Sequence, residues 1–320
     1  MRDADGALQG IRVNRLKDKL GTRALPTAEL TLDGTPAHLV GGLGAGVRKI
    51  AALLNVTRIY NAVASVAGMR RATALARDYA SRRSAFGKRL LDHPLHAETL
   101  MAMEIEWRAG FLLAFEVVDL LGRQEAGDAT ADDLARLRLL TPVAKLYTAK
   151  QAVAVASEAV ESFGGAGYVE DTGLPRLFRD AQVLPIWEGT TNVLSLDVLR
   201  ALEKTNALEA FLQDSRQRLC AVNDDALLPS ANRARYALQA LGDFAEQRAK
   251  QGRDFSERHA RSFAFAMART ACAVYLLEQA QWSIEVGERQ SATWATRWCA
   301  RDLTRFENAE GPVPSPLLLG

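Results

Sequence analysis

Residues 46–82 run without a proline and are rich in Ala, Leu, Val and Arg, in a helical period that sets in after Gly41-Gly42-Leu43-Gly44. A helix this long must lay its apolar face along other helices, and the rest of the chain supplies them. Pro94 stands where a proline opens a helix. In the stretch after it Trp107, Phe111, Phe115 and Val118 recur every three or four residues, which predicts a buried stripe. Asp128 to Asp133 offers capping chemistry for a third helix through about Phe163, and Gly164-Gly165-Ala166-Gly167 ends it. A fourth helix is expected from about Thr191 to Lys204. Four long helices with short connections read as an antiparallel four-helix bundle over residues 41–204, so the fold class is mainly α.

The flanks differ. Residues 10–34 alternate apolar and polar (Ile11, Val13; Ala28, Leu30, Leu32) and close on Asp33-Gly34, a strand and turn pattern too short to form a stable sheet alone. Residues 1–40 are therefore read as the remnant of a β-domain. Residues 205–312 carry further helical pattern, broken at Asp224-Asp225, Pro229 and Gly252, and are read as a helical extension. Residues 313–320 fall in a proline-rich end, from Gly311 onward, expected to be disordered.

A length of 320 residues suffices for about two domains with a sizeable core. A net charge of +2 gives no composition-level case for nucleic acid or an anionic membrane. Cys220, Cys272 and Cys299 are odd in number and widely spaced, which suits a reducing compartment and argues against a zinc site. The N-terminus has no apolar core segment of a secretory signal, and no apolar stretch reaches the ~20 residues that span a bilayer. The expected location is the cytoplasm, with no membrane partner.

The run Ile186-Trp187-Glu188-Gly189-Thr190-Thr191-Asn192 carries the chemistry. It puts one carboxylate on a short turn before a helix, beside small and hydroxylated residues that let a ligand come close. Read alone, Glu188 is a helix-start acid favoured by the helix dipole. Three other runs accompany it: Arg83-Ser84-Ala85-Phe86-Gly87-Lys88, Phe163-Gly164-Gly165-Ala166-Gly167-Tyr168 and Arg179-Asp180. Read alone, Arg83 is a solvated arginine at a helix end and the glycines are a helix stop. His93 and His96 have metal-compatible spacing, but Pro94 interrupts any helix between them and partners are lacking, so no metal is expected.

In that order and at those separations the four runs resemble the C-terminal half of the acyl-CoA dehydrogenases, which are FAD-dependent. The resemblance covers residues 10–203 well and 204–310 loosely. It implies that Glu188 is the base that removes the proton next to the thioester, while the hydride on the next carbon passes to the flavin. It implies that Arg83 reaches the FAD pyrophosphate across a dimer interface, with Phe86 flanking it. Gly164 and Gly165, with Gly167, would admit the adenosine part, and Thr190 and Asn192 would face the diphosphate and ribityl side. Arg58 and Gly189 would line the substrate cleft. Thr57 stands where isovaleryl-type members place an alternative glutamate, which leaves Glu188 as the base. The implied partners are an acyl-CoA, an electron-transfer flavoprotein as electron acceptor, and further copies in a homodimer or homotetramer. Asn55, Pro94, Glu161 and the tryptophan before Glu188, with the long extension, look like the AidB branch of the family, whose C-terminal domain contributes to DNA binding. Arg233-Ala234-Arg235 and Arg248-Ala249-Lys250 are the basic clusters open to that reading, although solvated helix faces are the commoner explanation of such clusters. The family's N-terminal helical domain and the start of its β-domain have no counterpart in residues 1–320, so the chain is expected to be an N-terminally truncated member. A catalytically inactive fragment is the remaining alternative.

Overall fold

The computed structural model describes residue 2 and residues 4–305, so the proline-rich end lies outside the described residues. Three long helices form the frame: α1 (Gly46–Arg82), α2 (Pro94–Ala126) and α3 (Ala131–Ser162) pack pairwise along their lengths. Pro94 occupies the first turn of α2, and Gly127, at φ 83°, caps its end by donating its N–H to the Arg123 and Gln124 carbonyls. A capping box opens α3: the Thr130 hydroxyl accepts from the Asp133 N–H at 3.1 Å, and the Asp133 carboxylate accepts from the Thr130 N–H at 3.0 Å. From Leu139 to Ala149 every residue of α3 is buried, because helices cover it on all sides.

The predicted aromatic stripe of α2 is not its buried face. Phe111 and Phe115 are about two-fifths exposed and stack on each other at 4.4 Å, and Trp107 is half-buried. The inward face is Leu100, Met103, Leu113, Val117 and Leu120, about one residue around the helix. The reason lies at Gly110, where an added Cβ would meet Met69 at 3.1 Å and Val66 at 3.4 Å. The α1 and α2 backbones approach closely there, and bulky rings are pushed to the flank.

A second correction concerns α1. By length and composition it is apolar enough to cross a bilayer, contrary to the sequence expectation, and it is the one such helix among the described residues. In the fold its inward face, including the polar Asn61, Ser65 and Thr73, packs on α2 and α3.

Two short helices, α4 (Gly165–Tyr168) and α5 (Leu174–Ala181), follow α3. Then comes α6 (Thr191–Lys204), shorter than the other bundle helices, packed on α3. The extension comprises α7 (Ala207–Cys220), α8 (Leu228–Gln251), α9 (Arg253–Glu285) and α10 (Gln290–Cys299). Pro229 opens α8 rather than breaking a helix, and Gly252 separates α8 from α9. Helix α9 is the long one, packed on α2, α3, α6 and α7, so the extension shares one continuous core with the bundle. A desolvated ion cluster lies at that seam: Arg136 of α3 bonds Glu116 of α2 and Asp214 of α7 (2.7 Å), while Arg218 of α7 bonds Glu116 (2.8 Å) and Glu278 of α9 (2.6 Å).

The N-terminal segment is an antiparallel ribbon of β1 (Ile11–Leu16) and β2 (Ala28–Leu32), with Ile11 opposite Leu32 and a bulge between Val13 and Arg15. The loop between the strands docks on α5. Thr22 donates its N–H to the Asp180 carboxylate at 2.5 Å, and Gly21 lies so close that an added Cβ would sit 2.3 Å from the Arg179 carbonyl oxygen.

Candidate active site

Glu188 lies on the loop between α5 and α6, half-buried, with φ at +59°. A left-handed backbone costs a non-glycine residue roughly 1–2 kcal/mol, so the surroundings must hold it. Three side chains do. The Thr57 hydroxyl of α1 donates to the Glu188 carboxylate at 2.8 Å. Arg58, the next residue, donates from Nε to the Glu188 carbonyl at 3.1 Å. Lys145 of α3 donates from Nζ to the following carbonyl, that of Gly189, at 2.7 Å. Gly189 has φ at +108°, and an added Cβ there would press on Leu194 at 3.1 Å.

Arg58 is itself fixed. Its Nη1 bonds Asp197 of α6 at 2.9 Å, and Arg138 of α3 takes the other oxygen of Asp197 at 2.7 Å. Arg58, Arg138 and protonated Lys145 therefore stand around Glu188 and Asp197, three cations to two carboxylates. The excess positive charge favours a further anion beside these groups. Burial pushes the Lys145 ammonium down to about 8, assisted by the nearby Arg58 charge and opposed by Glu188.

Thr190 is the N-cap residue of α6, but its side chain makes no capping bond and the first turn holds no acid. That leaves a helix N-terminus open to an anion. Asn192 is exposed, and its side-chain oxygen accepts from Arg261 of α9 at 3.2 Å, so the extension reaches this end of the site.

The other expected cofactor residues gather elsewhere. Arg83 leaves α1 into a hairpin of β3 (Ser84–Ala85) and β4 (Lys88–Arg89), with Phe86 at its tip almost fully exposed. Arg83, Phe86, Gly164 and Gly165 line one cleft of about 600 Å³, together with Tyr79 and His96. A Cβ added at Gly164 or Gly165 meets nothing within 4 Å, so these glycines leave open space over the backbone. Gly164 also has φ at +58°. The His96 Nε2 atom is buried without a hydrogen-bond partner. A guanidinium, open glycine backbone and an unpaired imidazole nitrogen suit a nucleotide with a diphosphate. His93, by contrast, bonds the Ala85 carbonyl at 3.0 Å.

Arg58 on α1 and Arg83 just past its end are 25 residues apart, roughly 37 Å at 1.5 Å per residue. One chain thus brings Glu188, Arg58, Gly189 and Thr190 together, and separately brings Arg83, Phe86, Gly164 and Gly165 together. It does not join the two groups. The sequence reading passed over Lys145, Arg138 and Asp197. Lys145 had a signal: it is the lone charge in the apolar run Leu139–Tyr147.

Of the basic residues open to a nucleic-acid reading, Arg235 donates to Asn232 and the Leu219 carbonyl, and Arg248 pairs with Glu203.

Residues 44–203 match the family model for the acyl-CoA dehydrogenase C-terminal domain, and residues 206–312 match that for the acyl-CoA dehydrogenase 11 C-terminal domain-like family. The chain is 48% identical over 305 residues to acyl-CoA dehydrogenase family member 11 of Caenorhabditis elegans, covering 93% of this chain and 49% of that protein. It is 37% identical over 211 residues to AidB of Escherichia coli, covering 66% of this chain and 38% of AidB. The crystal structure of Caenorhabditis elegans ACDH-11 in complex with C11-CoA superposes with a TM-score of 0.90 at 46% identity, over 94% of this chain and 52% of that one. The chain spans about half the length of that curated relative, and less of AidB. It belongs to the acyl-CoA dehydrogenase family.

Proposed function

We propose that this chain carries the base and two cofactor half-sites of an FAD-dependent acyl-CoA dehydrogenase that introduces a double bond between the α and β carbons of an acyl-CoA. The geometry of Glu188 supports this most directly: one carboxylate on a strained turn, steadied by Thr57 and followed by a glycine at positive φ. A thioester α-proton is weakly acidic, so the base must be placed against it and the developing enolate oxygen must meet fixed donors. In this reading the Glu188 carboxylate takes the α-proton, and its own backbone N–H, fixed by the left-handed turn, faces the enolate oxygen. The cation excess from Arg58, Arg138 and Lys145 favours the negative charge that develops there. Bound FAD would accept the β-hydride. Thr190 and Asn192 at the start of α6 would hold its ribityl and diphosphate side.

The adenosine half belongs to Arg83, Phe86, Gly164 and Gly165. Their separation from Glu188 along α1 favours a homodimer in which each flavin is held by the Glu188 loop of one copy and the Arg83 cleft of another. An electron-transfer flavoprotein would take the electrons, and the cytoplasm is the location proposed. The test is anaerobic addition of an acyl-CoA to the purified, FAD-loaded protein. Loss of the oxidised flavin absorption in the unsubstituted protein, and its persistence in Glu188→Gln, is the expected pair of results. Equal rates in both would remove Glu188 as the base.

A further inference from the structure

We propose that Lys145 is the positioning residue of the Glu188 turn: its ammonium holds the Gly189 carbonyl, and so keeps the backbone that aims the carboxylate. The inference deepens the reading above and rests on it. Two successive carbonyls of the turn are each held by a cation from a different helix, Glu188 by Arg58 of α1 and Gly189 by Lys145 of α3. Fixing both peptide planes denies the turn a flip to ordinary backbone angles. The two clamps are not alike. Arg58 shares Asp197 with Arg138 and is held by that ion pair whether or not the turn is in place. Lys145 is 0% exposed, and its one hydrogen bond among the described residues is to Gly189. A buried ammonium without a carboxylate against it destabilises a fold relative to an apolar side chain of the same length. What Lys145 contributes is therefore the orientation of the carbonyl it holds.

This predicts an unusual pairing, in which activity falls while stability does not. The variants are Lys145→Met, which keeps length and removes charge, and Lys145→Arg, which keeps charge. The reaction is followed in the FAD-loaded protein as α-proton exchange, in deuterated water, of a 3-thia acyl-CoA, which has no β-hydride to lose. Lys145→Met should lower exchange at saturation about 100-fold, as a misplaced catalytic group does, and change the half-saturating concentration less than about threefold. Lys145→Arg should restore at least about tenfold of that loss. The thermal midpoint of Lys145→Met should be equal to or above that of the unsubstituted protein. A second readout needs no flavin: in the cofactor-free chain, amide deuterium uptake over Trp187–Thr191 should quicken about tenfold in Lys145→Met and return in Lys145→Arg.

Exchange in Lys145→Met within about threefold of the unsubstituted rate, with unchanged amide uptake, overturns the proposal. So does a loss of exchange that merely tracks a lowered thermal midpoint, which would make Lys145 a packing residue. Exchange that is absent from the unsubstituted protein, or intact in Glu188→Gln, overturns the base assignment beneath it. Exchange lost in Glu188→Gln but kept in Lys145→Met overturns the role of Lys145 alone.

Discussion

The Thr57 hydroxyl and the Glu188 carboxylate, 131 positions apart in the chain, meet at 2.8 Å. The hydroxyl also lies 3.1 Å from the Leu53 and Leu54 carbonyls of its own helix. It has one proton to give, and the shorter contact to a charged acceptor is the stronger bond. A hydrogen bond to a charged group contributes about 1.5–3 kcal/mol, or roughly 10- to 100-fold in rate where it is needed for aim. Thr57→Val, which keeps the shape and removes the hydroxyl, should slow α-proton exchange by about that factor, and Thr57→Ser should retain the rate. Equal exchange in all three proteins would show that the helix carbonyls hold the hydroxyl.

Lys145 gives stability a pH dependence of definite sign. Its ammonium is held down to about 8 by burial, against an ordinary lysine value of 10.5. Between those limits the unfolded chain binds more protons than the folded one, so stability rises with pH. The penalty is fully present below pH 8 and is relieved on the way to 10.5, amounting to about 3 kcal/mol for this one group. Urea unfolding at about pH 7, 8.5 and 10, which bracket that window, should show the rise in the unsubstituted chain. Lys145→Met should flatten it. A parallel pH dependence in both proteins would assign the rise to other groups.

Much of this was legible in the sequence because helical period, Pro94, the Thr130–Asp133 cap and the glycine stops are local signals, and the helices obey them. The order of the four motif runs was likewise local. What failed was tertiary. Phe111 and Phe115 have core spacing, but which side of α2 turns inward depends on how closely α1 approaches at Gly110. Thr57 was noticed only for the glutamate it is not, since no sequence spacing says that residue 57 will face residue 188. The separation of the Arg83 cleft from Glu188 likewise follows from the length of α1, which carries Arg58 near one motif and ends beside another.

Gly21 offers a test of how the N-terminal ribbon is held. A methyl group there would overlap the Arg179 carbonyl, a backbone atom with little room to move, and would push Thr22 away from Asp180. Gly21→Ala should therefore undock the β1–β2 ribbon while sparing the bundle. Limited proteolysis should then cut within residues 17–27 sooner than in the unsubstituted chain, at nearly unchanged helical circular dichroism. Gly34→Ala is the control, since a Cβ there meets nothing, although its positive φ adds modest strain. Equal cleavage in Gly21→Ala and Gly34→Ala would mean that the docking contact does not hold the ribbon.

The ion cluster at the seam of bundle and extension makes the last prediction, because its members differ in exposure. Burial raises the Glu116 carboxyl above the usual glutamate value, while Arg218 and Arg136 pull it down. Removing one arginine leaves that carboxylate desolvated and under-paired. Breaking such a buried pair costs about 3–5 kcal/mol, so Arg218→Met should lower the urea midpoint sharply and loosen α7 from α2 and α9. Glu278 is bonded to the same arginine at 2.6 Å, but its side chain is 45% exposed. Water can replace its partner, and Glu278→Gln should cost less than about 1 kcal/mol. The contrast isolates desolvation from contact geometry, since the two Arg218 bonds differ little in length. Similar losses in both variants would mean that the seam depends on the number of ion pairs rather than on the burial of Glu116.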